Sequence, residues 1–151
     1  MKEQNNKKYC YSYPRPAVTV DAIIYTQNCK KILLIQRKNE PFKNFWALPG
    51  GFLDENENID DAIIREIIEE TGLQNLIFQQ FMTIGDAKRD PRGHTVTIVY
   101  FALCENPDLA IAGDDAKCLN WFDQNNLPEL AFDHKKILLS FFQTDRKKTG
   151  V

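Results

Sequence analysis

No run of apolar residues in this 151-residue chain is long enough for a membrane-spanning helix. The N-terminus, MKEQNNKKYC, lacks the apolar core of a secretory signal. An excess of one charge is also missing. A net charge of −2 and a pI near 5.7 argue against a general nucleic-acid or membrane-surface binder. The four cysteines (Cys10, Cys29, Cys104 and Cys118) form no C-x-x-C pair, and only His94 and His134 are available to help them hold zinc. Reduced thiols in a cytoplasmic protein are therefore expected. No strand leads into G-x-G-x-x-G or G-x-x-x-x-G-K-[ST], so neither a dinucleotide fold nor a P-loop is supported. The chain has no internal repeat, no low-complexity segment and no interdomain linker.

What remains is the composition of one globular domain with its own core. The pattern predicts a loose tail over 1–13, a single domain over 14–144 and a frayed tail over 145–151. AVTVDAIIY (17–25) and KILLIQR (31–37) are rich in β-branched and apolar residues, and the short turn between them predicts a hairpin. FWAL (45–48) is a short extended piece before Pro49-Gly50-Gly51. A helix follows over about 58–70, with Gly72 as its stop. Strands are expected over 75–85, 95–104 and 118–122, separated by loops at 86–94 and 106–117. Asp133 is a good N-cap for a final helix beginning HKKILLSFF. Strands with a central and a terminal helix imply an α/β fold, a mixed sheet covered by helices.

The central helix carries the chemistry. On a wheel at about 100° per residue, Ile63, Ile64, Ile67 and Ile68 cover one broad face. Glu66, Glu69 and Glu70 share an arc beside it, with Arg65 at its border. A solvated acidic face is the bland explanation of Glu-x-x-Glu. Three features weaken it here. The carboxylates adjoin apolar positions, no lysines dilute their repulsion, and they lie near the helix C-terminus, where the dipole disfavours anions. A divalent cation such as Mg²⁺ or Mn²⁺, bound through hard oxygens, would resolve all three.

The upstream stretch GGFLDENE (50–57) loops into this helix. Gly51, Glu57, Arg65, Glu66, Glu69, Glu70 and Gly72 together match G-x5-E-x7-R-E-U-x-E-E-x-G-U at every defined position, with Ile67 and Leu73 at the bulky apolar positions. This is the pattern of the Nudix box, and the chain resembles Nudix hydrolases over nearly its whole length. The resemblance implies an α/β/α sandwich and metal-dependent attack of water on a nucleoside diphosphate linked to another group. It implies that Glu66, Glu69 and Glu70 hold the metal, helped by the Gly51 carbonyl. Glu57 would be a supporting ligand, and Arg65 would orient the carboxylates by ion pairing.

The box names the reaction and not the substrate. The flanking segments YPRPAVTVDAII, RKNEPFKNFWALPGGF, GDAKRDPRG, AGDDAKCLNWF and LPELAFDH are similar to one Nudix subgroup. That subgroup includes ADP-ribose pyrophosphatases, Nudix domains fused to nicotinamide-mononucleotide adenylyltransferases, and ADP-ribose-sensing transcription regulators. The implied substrate is ADP-ribose, cleaved to AMP and ribose 5-phosphate. The rivals are modified nucleoside triphosphates or another nucleotide sugar, and a sensor that binds ADP-ribose without cleaving it. Too little chain follows the final helix for the DNA-binding domain of such a sensor, and the box is undamaged.

Arg89 and Arg92 have forked donors suited to phosphate or ribose oxygens, and Arg15 lies between two prolines. Phe45 or Trp46 is a candidate to stack on adenine, against core packing as the plainer role. Asp114 and Asp115 form a second acidic site, with Asp115 the candidate base and a plain turn the alternative. His134 is taken as structural or substrate-adjacent, and His94 is left open. Relatives that exchange N-terminal segments make segment 9–16 compatible with a homodimer.

Overall fold

The structure, a computed structural model, describes residues 9–27, 30–113 and 116–149, the last five of these in backbone alone. The elements in chain order are β1 (Ala17–Tyr25), β2 (Lys31–Arg37), β3 (Trp46–Ala47), β4 (Gly50–Phe52), α1 (Ile59–Thr71), β5 (Gln79–Ile84), β6 (Thr95–Leu103), β7 (Ala116–Asp123) and α2 (His134–Thr149). Among the described residues the strands form one mixed sheet of order β3-β2-β1-β6-β5, with β4 paired to β1 and β7 to β2.

β1 is central. Its alternating side chains supply both faces, as expected of a strand buried on each side. Val20, Ala22 and Ile24 pack with Ala62, Ile63 and Ile67 of α1. Ile23 packs with Ile137, Leu138, Phe141 and Phe142 of α2. Two helices on opposite faces of a mixed sheet make the expected α/β/α sandwich.

Three details depart from the pattern read in the sequence. The hairpin is splayed: β1 meets β2 only at Tyr25↔Ile32, while it runs parallel with β6 from Ala17↔Thr95 to Tyr25↔Leu103. The residues of β1 nearest Gly50 and Gly51 are claimed by β4, which displaces β2 from that edge. The final helix continues to Thr149, past the expected boundary at 144. The buried face of α1 is rotated from the wheel: Ile64 is 47% and Ile68 40% exposed, whereas Glu70 is 7% exposed. Bonds to the glycine loop, described next, draw that carboxylate inward.

β5 is bulged between Gln80 and Met82. One other reading holds closely. Gly72 ends α1 in the left-handed region at φ 67°, its N–H donating to the Ile68 carbonyl at 3.0 Å.

Candidate active site

The helix α1 presents its carboxylates to the turn between β3 and β4. Arg65 gathers them. Its Nε and Nη2 donate to the two Glu57 oxygens at 2.6 and 2.9 Å, and its Nη1 donates to Glu66 Oε1 at 2.8 Å and Glu69 Oε2 at 3.2 Å. Nη2 also donates to the Phe52 carbonyl at 3.0 Å, fixing the loop to the helix. The Arg65 bond, with the Asp54 N–H, holds the Glu57 carboxyl down at about 2. Glu66 moves the other way: burial raises it, against the pull of Arg65.

The glycines give these carboxylates room. A Cβ on Gly51 would lie 2.4 Å from Glu66 Oε1, so only glycine lets the loop seat against that side chain. Gly50 has φ 151°, and its N–H donates to Glu70 Oε2 at 2.8 Å. The turn is held from below as well. The Leu48 N–H donates to Nδ1 of buried His134 at 2.9 Å. That bond assigns the ring proton to Nε2, which faces Asp21 Oδ1 at 3.8 Å. Thr97 donates to the other Asp21 oxygen. Burial lowers the His134 pKa, with Asp21 opposing.

Beside the carboxylates lies a cleft. Its lining includes Thr19, Asp21, Gly50, Gly51, Phe52 and Glu70, together with Arg37, Arg89, Asp90, Arg92 and Phe132. Its chemistry is mixed: acidic, cationic and aromatic side chains share one lining. That suits a polyanion with a ring system.

A family profile for the NUDIX domain matches residues 15–141. The chain belongs to the Nudix family. It is 48% identical over 143 residues to an ADP-ribose pyrophosphatase of Methanocaldococcus jannaschii, covering 95% of this chain and 82% of that protein. It is 40% identical to an ADPR responsive transcriptional repressor of Acinetobacter baylyi, covering 91% of this chain but only 57% of the repressor. Among solved structures, the NUDIX domain of Shewanella oneidensis NrtR, crystallised with ADP ribose, superposes with TM-score 0.79 at 32% identity, covering 87% of this chain and 90% of that one.

By that membership the chain is a Nudix pyrophosphohydrolase, and Nudix hydrolases generally need a divalent metal. The donor set fits one. Glu66 is a carboxylate whose charge burial disfavours, Glu69 adds a like charge, and the space above Gly51 is kept clear of a Cβ. Among the described residues, no three acidic, histidine or cysteine side chains converge tightly enough to hold an ion as they stand. Arg65 is the cation that Glu57, Glu66 and Glu69 share here.

The other site residues expected from the sequence are distributed unevenly. Arg89 and Arg92 line the cleft. Arg89 is tied to Asp133, Nη2 to Oδ1 at 2.6 Å, and its side chain is only 4% exposed. Asp133 thus spends its carboxylate on Arg89, and it starts α2 through its backbone carbonyl instead, which accepts the Ile137 N–H at 3.2 Å. Arg92 bonds Asp90, Nη2 to Oδ2 at 2.7 Å. Phe45 and Trp46 lie outside the cleft lining. Phe45 packs edge-on to Phe42, and Trp46 packs edge-on to Phe122. Arg15 stacks over Tyr11 at 4.2 Å, also outside the lining. Asp114 and Asp115 lie outside the described residues. Gly113, just before them, donates its N–H to the Glu70 carbonyl at 2.9 Å, which ties it to the end of α1.

Sequence reasoning missed Arg37, Phe52, Asp90 and Phe132 in the cleft. Asp90 had a signal: an acid between two arginines in a turn-rich loop. Phe52 adjoins Gly51 and could have been reached the same way. Arg37 and Phe132 had none, because only the fold brings them together.

Proposed function

We propose that this chain hydrolyses the pyrophosphate bond of ADP-ribose, giving AMP and ribose 5-phosphate, with Mg²⁺ or Mn²⁺ as the bound ion. The observation that supports the reading is the cleft itself, which brings Glu70 and the Gly50-Gly51 turn together with Arg37, Arg89, Arg92 and the Phe52 and Phe132 side chains. The ion, when bound, supplies charge neutralisation and activation of water. The chain's own residues do the rest. Glu66, Glu69, Glu70 and the Gly51 carbonyl are the ligands, and Glu57 supports them. Arg65 holds Glu57, Glu66 and Glu69 together and aligned. Arg89 and Arg92 orient the substrate's anionic part. Asp115 is retained as the candidate base, while Phe45, Trp46 and Arg15 keep only a secondary claim on substrate.

The functional unit is the stretch 14–144, acting in the cytoplasm without nucleic acid, and a homodimer is the proposed assembly. The relative that is a repressor supports one competitor, an ADP-ribose sensor. Incubating the protein with ADP-ribose, a nucleoside triphosphate panel and Mg²⁺, with chromatography of products, separates these readings. AMP and ribose 5-phosphate should appear fastest from ADP-ribose. Faster cleavage of a triphosphate overturns the substrate, and tight ADP-ribose binding without products turns the assignment to the sensor. Light scattering on the same sample tests the dimer.

A further inference from the structure

Three arginines line the cleft, and two of them have carboxylate partners. Arg89 is committed to Asp133 and Arg92 to Asp90. Arg37 differs. Its Nε donates to the Pro41 carbonyl at 2.8 Å, and no carboxylate among the described residues forms an ion pair with it. Its guanidinium lies instead 5.0 Å from the centre of the Phe132 ring. Arg92 approaches the same ring at 5.3 Å and the Phe52 ring at 4.8 Å. Two like charges therefore share one aromatic side chain at a half-buried position.

That arrangement opposes itself. Burial, and then the charge of Arg92, both act against the charge on Arg37, and Glu70, Asp90 and Asp21 favour it without pairing. A guanidinium does not resolve such a conflict by losing its proton. An anion between the two forks would resolve it.

Phe132 is held for this position at a cost. Its φ of 52° is a backbone region that bulky residues rarely adopt. The strain is tolerated because its neighbours are pinned. Phe42 packs edge-on at 4.8 Å, Asp133 is bound by Arg89, and His134 is bound by Leu48. Strained residues that persist through such over-determination concentrate at ligand sites.

We propose that Arg37, with Arg92 on the same Phe132 ring, forms a phosphate subsite that holds a phosphoryl group of the substrate in the cleft that Glu70 also lines. The subsite rests on the cleft being where a nucleotide diphosphate binds. Arg37 supplies the unspent charge. Arg92, oriented by Asp90, supplies the second fork. Phe132 sets the height of both guanidiniums and shields them from water.

The test uses inorganic pyrophosphate, ADP-ribose and neutral adenosine as probes, with EDTA present so that no metal contributes. Arg37→Gln should weaken pyrophosphate and ADP-ribose binding at least tenfold in calorimetry and leave adenosine unchanged. Arg37→Lys, which keeps charge without the fork, should recover part of the loss. In turnover, KM should rise while kcat stays within about threefold, since the contact is made equally in ground and transition states. Unchanged pyrophosphate affinity in a folded Arg37→Gln variant overturns the subsite. A second measurement needs no variant: phenylglyoxal labelling of the wild-type protein, read by mass spectrometry. Pyrophosphate should protect Arg37 and adenosine should not. Equal labelling with and without pyrophosphate also overturns it. A wild-type protein idle on ADP-ribose, yet protected at Arg37 by pyrophosphate, would defeat the substrate assignment and leave the subsite standing.

Discussion

Gly50 and Gly51 are neighbours, yet replacing each with alanine should give opposite results. A Cβ on Gly51 meets only the Glu66 carboxylate, with Oε1 at 2.4 Å and Oε2 at 2.6 Å. That carboxylate is the free end of a flexible side chain, and it can swing away. Doing so breaks its 2.8 Å bond with Arg65. A hydrogen bond to a charged group contributes about 1.5–3 kcal/mol. Arg65 keeps both bonds to Glu57, so the low end applies, about 1.5 kcal/mol. For a domain of this size that lowers Tm by about 3–6 °C. Turnover should fall much further, about 100-fold or more, because a displacement of roughly 1 Å in a positioned group costs that much. A Cβ on Gly50 instead meets backbone, the Val20 carbonyl oxygen at 2.0 Å and the Asp21 Cα at 2.8 Å. Those atoms cannot yield without opening the β1–β4 pairing, and φ 151° is itself hostile to alanine. Gly50→Ala should lose more than about 4 kcal/mol and fold poorly. Thermal melts, far-UV circular dichroism and AMP release from ADP-ribose read all of this. The reasoning fails if Gly51→Ala melts more than about 10 °C early, or if it retains over about half the wild-type turnover.

Further expectations follow from the same contacts. Mg²⁺ at about 100 times its Kd should stabilise the protein by about 2.7 kcal/mol, or roughly 5–11 °C in Tm. Glu66→Gln should remove most of that shift, and identical melts in EDTA and Mg²⁺ would refute the site. His134 binds its proton less readily folded than unfolded. Between its folded pKa and about 6.5, the unfolded chain therefore carries more protons and stability rises with pH. This contribution is complete above about 6.5 and lost as pH falls through the folded value. Urea melts from mildly acidic to neutral pH should show the slope, and His134→Gln should flatten it; an equal slope in the variant counts against the role of the buried ring. Asp133→Ala leaves Arg89 buried without its partner, at a cost of about 3–5 kcal/mol. Replacing both with apolar residues should recover much of the loss in denaturant titrations, and a single-variant loss under about 1 kcal/mol would refute the pairing.

Much of this was legible before any fold was in view. β1, β2 and β6 announce themselves through β-branched runs, and α1 through the box and Gly72. The carboxylates of the box were legible as a spacing. Their orientation was not, because a wheel sorts residues by polarity and leaves charged groups outside. Glu70 turns inward because Gly50 offers it an N–H, a contact between residues twenty apart. The aromatic residues were misleading for a related reason. Phe45 and Trp46 stand beside the Pro-Gly turn, but their rings point into clusters with Phe42 and Phe122. Phe52 and Phe132 reach the cleft instead, and no local pattern distinguishes the two pairs. Parallel pairing of β1 with β6 was illegible because its register is set by packing on both faces and not by a turn.

That parallel ladder also governs the order in which the protein can be made. Each rung joins the first strand to one synthesised after the whole box. Until Leu103 emerges, the central strand of the nascent chain has one open edge, a template for wrong partners. Pairings so distant in sequence close slowly. The acidic helix and its glycine loop therefore spend part of synthesis complete in sequence but unsupported on one side. Chains that stall in the loop before β6 should be sticky, and should depend on chaperones in a way the finished protein does not.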